Sequence, residues 1–271
     1  MAIPVARLAT GIVLIALVLA CLFLLPKVAA YSLFLVFLTV AAYEWSALAG
    51  IVTTPLRVGY AGTVGVGLAL GWQFMRSPLF VELLLFGGAV WWLCASAWVI
   101  AFQLRGGPVI RKRFALAVLG PIVLLPAMCS IVYLLERSPN HVVAVLVLVW
   151  SMDIWAYFGG RRFGRTALAS RVSPGKTREG LVIAAVTTVV LAVLGNTLVS
   201  QYPHPTWFIL ITLTMFAAVI GDLFESLLKR IQGVKDSGSL LPGHGGVLDR
   251  IDSILAAAPV FALTLHLMET K

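Results

Sequence analysis

Charge is what this sequence has least of. Only 11% of its 271 residues are Asp, Glu, Lys or Arg, against roughly 25% in a soluble domain, which excludes an ordinary water-soluble fold. Acids are the scarcer sign, 11 against 20 Lys and Arg. Cysteine is nearly missing: Cys21, Cys94 and Cys129 lie inside apolar runs with no CxxC spacing. A disulfide framework and a cysteine-ligated metal are thereby excluded, and the three read as inert packing residues. Hydrocarbon takes the place of charge, with 61% apolar residues and a mean hydropathy of +1.01. The net charge of +9 does not point to nucleic acid, because the basic residues are scattered in short segments between apolar runs of about 20 residues, the length that crosses a bilayer.

Nine such runs are present, at 8–25, 28–48, 56–73, 79–102, 114–135, 141–160, 180–200, 206–228 and 247–268. They predict an all-α, polytopic integral membrane protein with about nine transmembrane helices. LVLAC at Leu17–Cys21 faintly resembles a signal-peptide or lipoprotein cleavage site, but Val18 fits that pattern poorly and further spans follow, so the first helix is expected to stay uncleaved. The third run is short and rich in glycine. Its ridge of Gly59, Thr63, Gly67 and Gly71 suits either an ordinary intrachain contact or the seam of a homodimer. Trp91, Trp92 and Trp98 of the fourth run read as packing residues or interface anchors. Organisation divides into residues 1–140, with about five spans, and residues 141–271, which carry the polar motifs.

Nine spans put the termini on opposite sides. Sixteen of the 20 Lys and Arg then share the side of the N-terminus, leaving Lys27, Arg76, Arg137 and Lys271 on the other. The positive-inside rule places the crowded side, and the N-terminus, in the cytoplasm. Five carboxylates from three spans, Asp153, Asp222, Glu225, Asp249 and Asp252, are expected at this inner face. Asp222 with Glu225, and Asp249 with Asp252, are each three apart and so share a helix face. Glu44 also falls near the cytoplasmic side, where it suits a supporting role, and Glu82 near the outer face.

Charge is expensive at membrane depth and marks function by default, which singles out residues 221–253, GDLFESLLKRIQGVKDSGSLLPGHGGVLDRIDS. Clustered carboxylates suit a hard cation such as Mg²⁺, and neighbouring Lys and Arg suit the phosphate oxygens that such a metal bridges. Phosphoryl or nucleotidyl transfer is the natural chemistry. The bland alternative is pairing at helix ends, as Glu225 with Lys229 would do. Glycines in PGHGG, Pro242–Gly246, let backbone N–H groups approach an anion just before the last helix. There His244 fits a phosphate donor, a proton-transfer group or a packing residue equally well. A second polar stretch, 153–180, contains GKT at Gly175–Thr177, but Ser170 stands where a Walker A motif needs glycine. It reads either as a basic loop on anionic headgroups or as a polyphosphate-binding loop using Ser173, Lys176 and Thr177.

SLLKRIQGVKDSGSLLPGHGGVLDRID, from Ser226 to Asp252, resembles the signature of the phosphatidate cytidylyltransferases, or CDP-diacylglycerol synthases, SxxKRxxxxKDxxxxxPxHGGxxDRxD. Every fixed position is present. DxxAYxxGRxFG from Asp153 and SPxKTxEG from Ser173 are similar to the family as well, so the resemblance covers roughly the C-terminal half. It implies an inner-membrane enzyme of phospholipid biosynthesis that transfers CMP from CTP to phosphatidic acid, giving CDP-diacylglycerol and pyrophosphate. The implied cofactor is Mg²⁺, alone or with a second cation. Asp222 and Asp249 are the implied metal ligands, and Asp252 is an additional or outer ligand. Lys176, Lys229, Arg230 and Lys235 are candidates for holding phosphate, with Ser173, Ser226 and His244 as hydrogen-bonding partners. Asp236 joins the catalytic set, and Asp153, Thr177, Gly245, Gly246 and Arg250 join the substrate-binding set.

Two rivals fit less well. A cation- or proton-coupled transporter predicts polar residues through the membrane depth and an internal repeat, and a lipid-binding scaffold needs the cations but not the acids. The DGxxAR and GxxxDxxxD motif of the CDP-alcohol phosphotransferases is absent. A lipid substrate must enter sideways while CTP arrives from water, so a cavity between the last spans, open to both, is expected.

Overall fold

Each apolar run forms a helix. In a computed structural model that describes residues 5–106, 112–199, 204–238, 240 and 245–270, these are α1 (Val5–Phe23), α2 (Lys27–Leu48), α3 (Thr54–Phe74), α4 (Pro78–Arg105), α5 (Arg113–Arg137), α6 (Pro139–Phe163), α7 (Arg178–Val199), α8 (His204–Gln232) and α9 (Leu248–Glu269). Seven of them, α2 and α4 to α9, are long and apolar enough to cross a membrane by length and composition. Large apolar side chains such as Leu56, Leu79, Leu83 and Phe114 are 65–81% exposed, as expected where the solvent is lipid.

One element was not expected. Between α6 and α7 the chain makes a small antiparallel hairpin, β1 (Ala167–Ala169) and β2 (Ser173–Thr177), with Ala167 opposite Thr177 and Ala169 opposite Ser173. The pairing gives backbone N–H and C=O groups of this connection partners within the protein.

Helix α9 is the axis of the bundle. It packs on α2, α4, α5, α6 and α8, most extensively on α8. Small residues set that closeness: Ala256, Ala257 and Ala258 are fully buried, and a Cβ at Gly221 of α8 would meet the Asp252 carbonyl at 2.5 Å and Ala256 at 2.9 Å. Contact of this kind needs glycine, and it places Asp222, one residue on, beside the first turns of α9. Phe224 of α8 is held by Trp91, Trp92 and Trp98 of α4, each ring edge-on at 5.6–5.8 Å. The tryptophans therefore pack the interior. The ridge on α3 divides: Gly71 faces Leu125 and Cys129, whereas a Cβ at Gly59 or Gly67 meets nothing within 4 Å.

Proline inside α5 is compensated across the bundle. Pro121 has no N–H for the Ala117 carbonyl four residues earlier. Tyr60 of α3 donates its hydroxyl to that carbonyl at 2.7 Å, and Trp45 of α2 donates to Leu116 at 2.8 Å. Away from the hairpin, the other end of the bundle is closed by Lys27 with Glu136 at 2.9 Å and Arg137 with Glu269 at 2.5 Å.

Candidate active site

The hairpin delivers Lys176 to α8, and three helices hold it there. Gln103, near the end of α4, accepts the Arg171 N–H at 3.0 Å and donates to Ser170 Oγ at 3.1 Å. Glu179, in the first turn of α7, accepts the N–H groups of Arg165 and Thr166 at 3.1 and 3.2 Å. Arg230, in the last turn of α8, donates from Nε to the Val172 carbonyl at 3.0 Å. Val172 is itself fully buried, so the tip of the hairpin is plugged into the bundle. Tied at these points, β2 lays Lys176 against Asp222 as an ion pair. Burial pulls the Lys176 ammonium below the ordinary lysine value, opposed by the charges of Asp252 and Asp153.

Asp153, Arg161, Lys176, Thr177, Asp222 and Ser253 share the wall of a cavity of about 410 Å³. Met152, Leu168, Leu181 and Val219 add an apolar stretch to its lining. The cavity joins cations and carboxylates from α6, the hairpin and α8, with the Ser253 hydroxyl from α9.

Behind it, Asp249 ties α8, the 233–247 loop and α9 together. Its Oδ1 accepts Lys229 Nζ at 2.8 Å, its Oδ2 accepts the Gly246 N–H at 3.0 Å, and both oxygens face the Ser237 N–H at 3.1–3.2 Å. Lys229 also pairs with Glu225 at 3.0 Å. Gly245 has φ +82°, a left-handed conformation natural to glycine, and this turn lets the next N–H reach Asp249. From α2, Glu44 completes the knot. Fully buried, it accepts the Leu248 N–H through Oε2 at 2.7 Å, and a Cβ at Gly238 or Gly246 would collide with its carboxylate.

Residues 5–268 match the cytidylyltransferase family. The phosphatidate cytidylyltransferase of Pseudomonas aeruginosa is 40% identical over 280 residues, covering 96% of this chain and 96% of that protein. The protein of the same name from Haemophilus influenzae is 36% identical, covering 94% and 96%. That of Bacillus subtilis is 44% identical over 131 residues, 47% of this chain and 48% of that protein. This chain belongs to the cytidylyltransferase family.

Of the residues singled out in this cytidylyltransferase-family sequence, Asp153, Lys176, Thr177 and Asp222 meet in the cavity. Asp249, Lys229, Gly245 and Gly246 belong to the knot behind it. Ser226 Oγ lies 3.5 Å from Asp222, and Glu225 stands beside Asp252. Arg230 is spent on the hairpin, Ser173 is half-buried at the start of β2, and Arg250 is exposed. Lys235 and Asp236 are exposed on the loop. His244, with Pro242 and Gly243, lies outside the described residues. Arg161, Gln103 and Glu179 were not singled out; Arg161 and Glu179 had a signal in the fixed Arg of GRxFG and the fixed Glu of SPxKTxEG, whereas Gln103 had none.

The oxygen donors come in small sets. Among the described residues no three His, Cys, Asp or Glu side chains form a metal cage. Glu225, buried, and Asp252 lie side by side, two carboxylates within hydrogen-bonding reach of each other. Mg²⁺ is usually held by one or two carboxylates, with water and substrate phosphate supplying the rest, so this donor set fits it.

Proposed function

We propose that this chain is a CTP:phosphatidate cytidylyltransferase. A phosphate oxygen of phosphatidate attacks the α-phosphorus of CTP in line, the bond from that phosphorus to the bridging oxygen of the β-phosphate breaks, and CDP-diacylglycerol and pyrophosphate are the products. The observation that carries this reading is the Lys176–Asp222 pair on a cavity wall, in a chain similar over nearly its whole length to proteins named phosphatidate cytidylyltransferase. Gathering of Asp153, Asp222, Glu225, Asp249 and Asp252 at one end of the bundle gives the transporter alternative no support.

The attacking phosphate monoester is already ionised near neutral pH, its second pKa being about 6, so no strong general base is required. Positioning and charge neutralisation carry such a reaction. Asp222 and Asp249 would hold Mg²⁺, which when bound neutralises charge on the nucleotide phosphates and the leaving pyrophosphate. Lys176 and Lys229 hold phosphate oxygens. In the structure both lysines are paired with those same carboxylates, so taking up substrate exchanges protein ion pairs for ligand contacts. Arg161 adds a guanidinium on the same wall. The cytoplasmic end of the membrane is the side on which this chemistry takes place, because CTP comes from the cytosol and the basic segments crowd there.

Conversion of labelled CTP to a CDP-lipid by the purified protein in phosphatidate micelles tests the reading. The expected result is product with Mg²⁺, none with EDTA, and less than a tenth of the wild-type rate with Asp249→Asn. Absence of product from folded wild-type protein across several phosphatidates overturns it.

A further inference from the structure

A second, apolar hollow of about 440 Å³ runs beside the polar cavity, between α4, α7 and α8. Gln103 and Thr212 are the polar residues on its wall, and both are already engaged within the protein. The Gln103 amide is used by Ser170 and Arg171 of the hairpin, and Thr212 Oγ1 donates to the Phe208 carbonyl at 2.8 Å. An occupant therefore finds a wall that is almost wholly hydrocarbon. Along α8 the lining runs from Thr212 to Leu223, about 16 Å at 1.5 Å per residue. Ile100, Leu104 and Phe216, exposed at 52%, 72% and 55%, leave the groove open sideways, where a bilayer would lie.

Its inner end is what sets this groove apart from ordinary lipid-facing surface. Leu168 and Ala169 of β1 line that end, and the bonds from Gln103 and Leu104 to the hairpin bridge α4 across it. A lipid standing upright would find its headgroup obstructed. Met152, Leu168, Leu181 and Val219 form a collar between the two hollows, lining both the groove and the cavity that holds Lys176 and Asp222.

We propose that this groove takes one acyl chain of the lipid substrate, with the glycerol at the four-residue collar and the phosphate in the polar cavity. The proposal rests on the reaction proposed above. A chain entering from the bilayer gains little hydrophobic energy, since it leaves one apolar medium for another. The groove therefore acts through shape: it aligns the lipid phosphate and discriminates chains by length and bulk.

Ala185→Phe and Thr212→Phe fill the groove from opposite walls, at positions that are not part of the polar cavity lining. With dioleoyl phosphatidate, each variant is expected to raise the lipid KM about tenfold while kcat and the KM for CTP stay close to wild type, the mark of lost ground-state binding. With dihexanoyl phosphatidate, whose chains end before the blocked region, both variants match wild type. Equal losses on the two lipids, or no change on either, in a variant that elutes as wild type overturns the groove assignment. Wild-type protein that makes CDP-lipid from neither substrate instead overturns the reaction on which the assignment stands. Should one variant fail to fold, the other gives the same reading from the opposite wall.

Discussion

Glu44 accepts the N–H of Leu248 at 2.7 Å, across 204 residues of chain. Leu248 is the first residue of α9, where backbone N–H groups have no partner within the helix and the helix dipole favours an anion. A carboxylate from α2 thus caps the helix that carries Asp249 in its first turn, and the same carboxylate packs against Gly238 and Gly246 of the preceding loop. The N-terminal spans do more than anchor: α2 helps to shape the signature loop.

Removing that cap should disable the site from a distance. Glu44→Ala leaves a buried N–H unpartnered, a cost of about 1–3 kcal/mol, and frees the loop that presents Asp249. A lower thermal unfolding midpoint in detergent and a fall in turnover are expected. Glu44→Gln keeps an acceptor oxygen and should recover most of both. Wild-type stability and rate in Glu44→Ala would remove this role.

Asp249→Asn is expected to lower turnover below a tenth of wild type while the protein still inserts and elutes as a folded species. Asparagine offers one acceptor oxygen where the carboxylate receives Lys229, Ser237 and Gly246, and its amide presents N–H to N–H. Rate measurement alongside size-exclusion chromatography checks this. A rate above a tenth of wild type counts against Asp249 as a metal ligand.

The helices were legible because their signal is local: an apolar run of span length names its own structure, and all nine were found within a few residues of their ends. Pairs at three-residue spacing, Asp222 with Glu225 and Asp249 with Asp252, gave the polar face of α8 and α9 for the same reason. The hairpin was not legible. ALA and SPGKT show no alternation of apolar residues, and what holds them is remote, Gln103 being 68 residues from Arg171. Glu44 announced itself as an acid in an apolar span, but its partner is a backbone N–H, which no side-chain pattern reveals.

Lys176 and Asp222 should behave as a unit. Lys176→Met and Asp222→Asn each remove one member of the pair on the cavity wall, and each is expected to cut kcat/KM for CTP severely. Because the residues are in contact, the double variant should fall short of the summed losses by about 0.5–3 kcal/mol of coupling. Strictly additive losses in a four-enzyme kinetic cycle would show that the pair has no joint role.

A last expectation concerns the proline in α5. Tyr60 donates its hydroxyl to the Ala117 carbonyl, which Pro121 has left without a helical partner. In a bilayer no water is at hand to replace the tyrosine. Tyr60→Phe should therefore destabilise the protein by about 1 kcal/mol, the usual scale of an interhelical hydrogen bond in a membrane. Pro121→Ala restores an N–H four residues after Ala117, so in that background the same Tyr60→Phe change should cost little. Thermal unfolding of the four proteins in one detergent checks the argument: a Tyr60→Phe cost that is equal with and without Pro121 would mean that the hydroxyl serves some purpose other than the orphaned carbonyl.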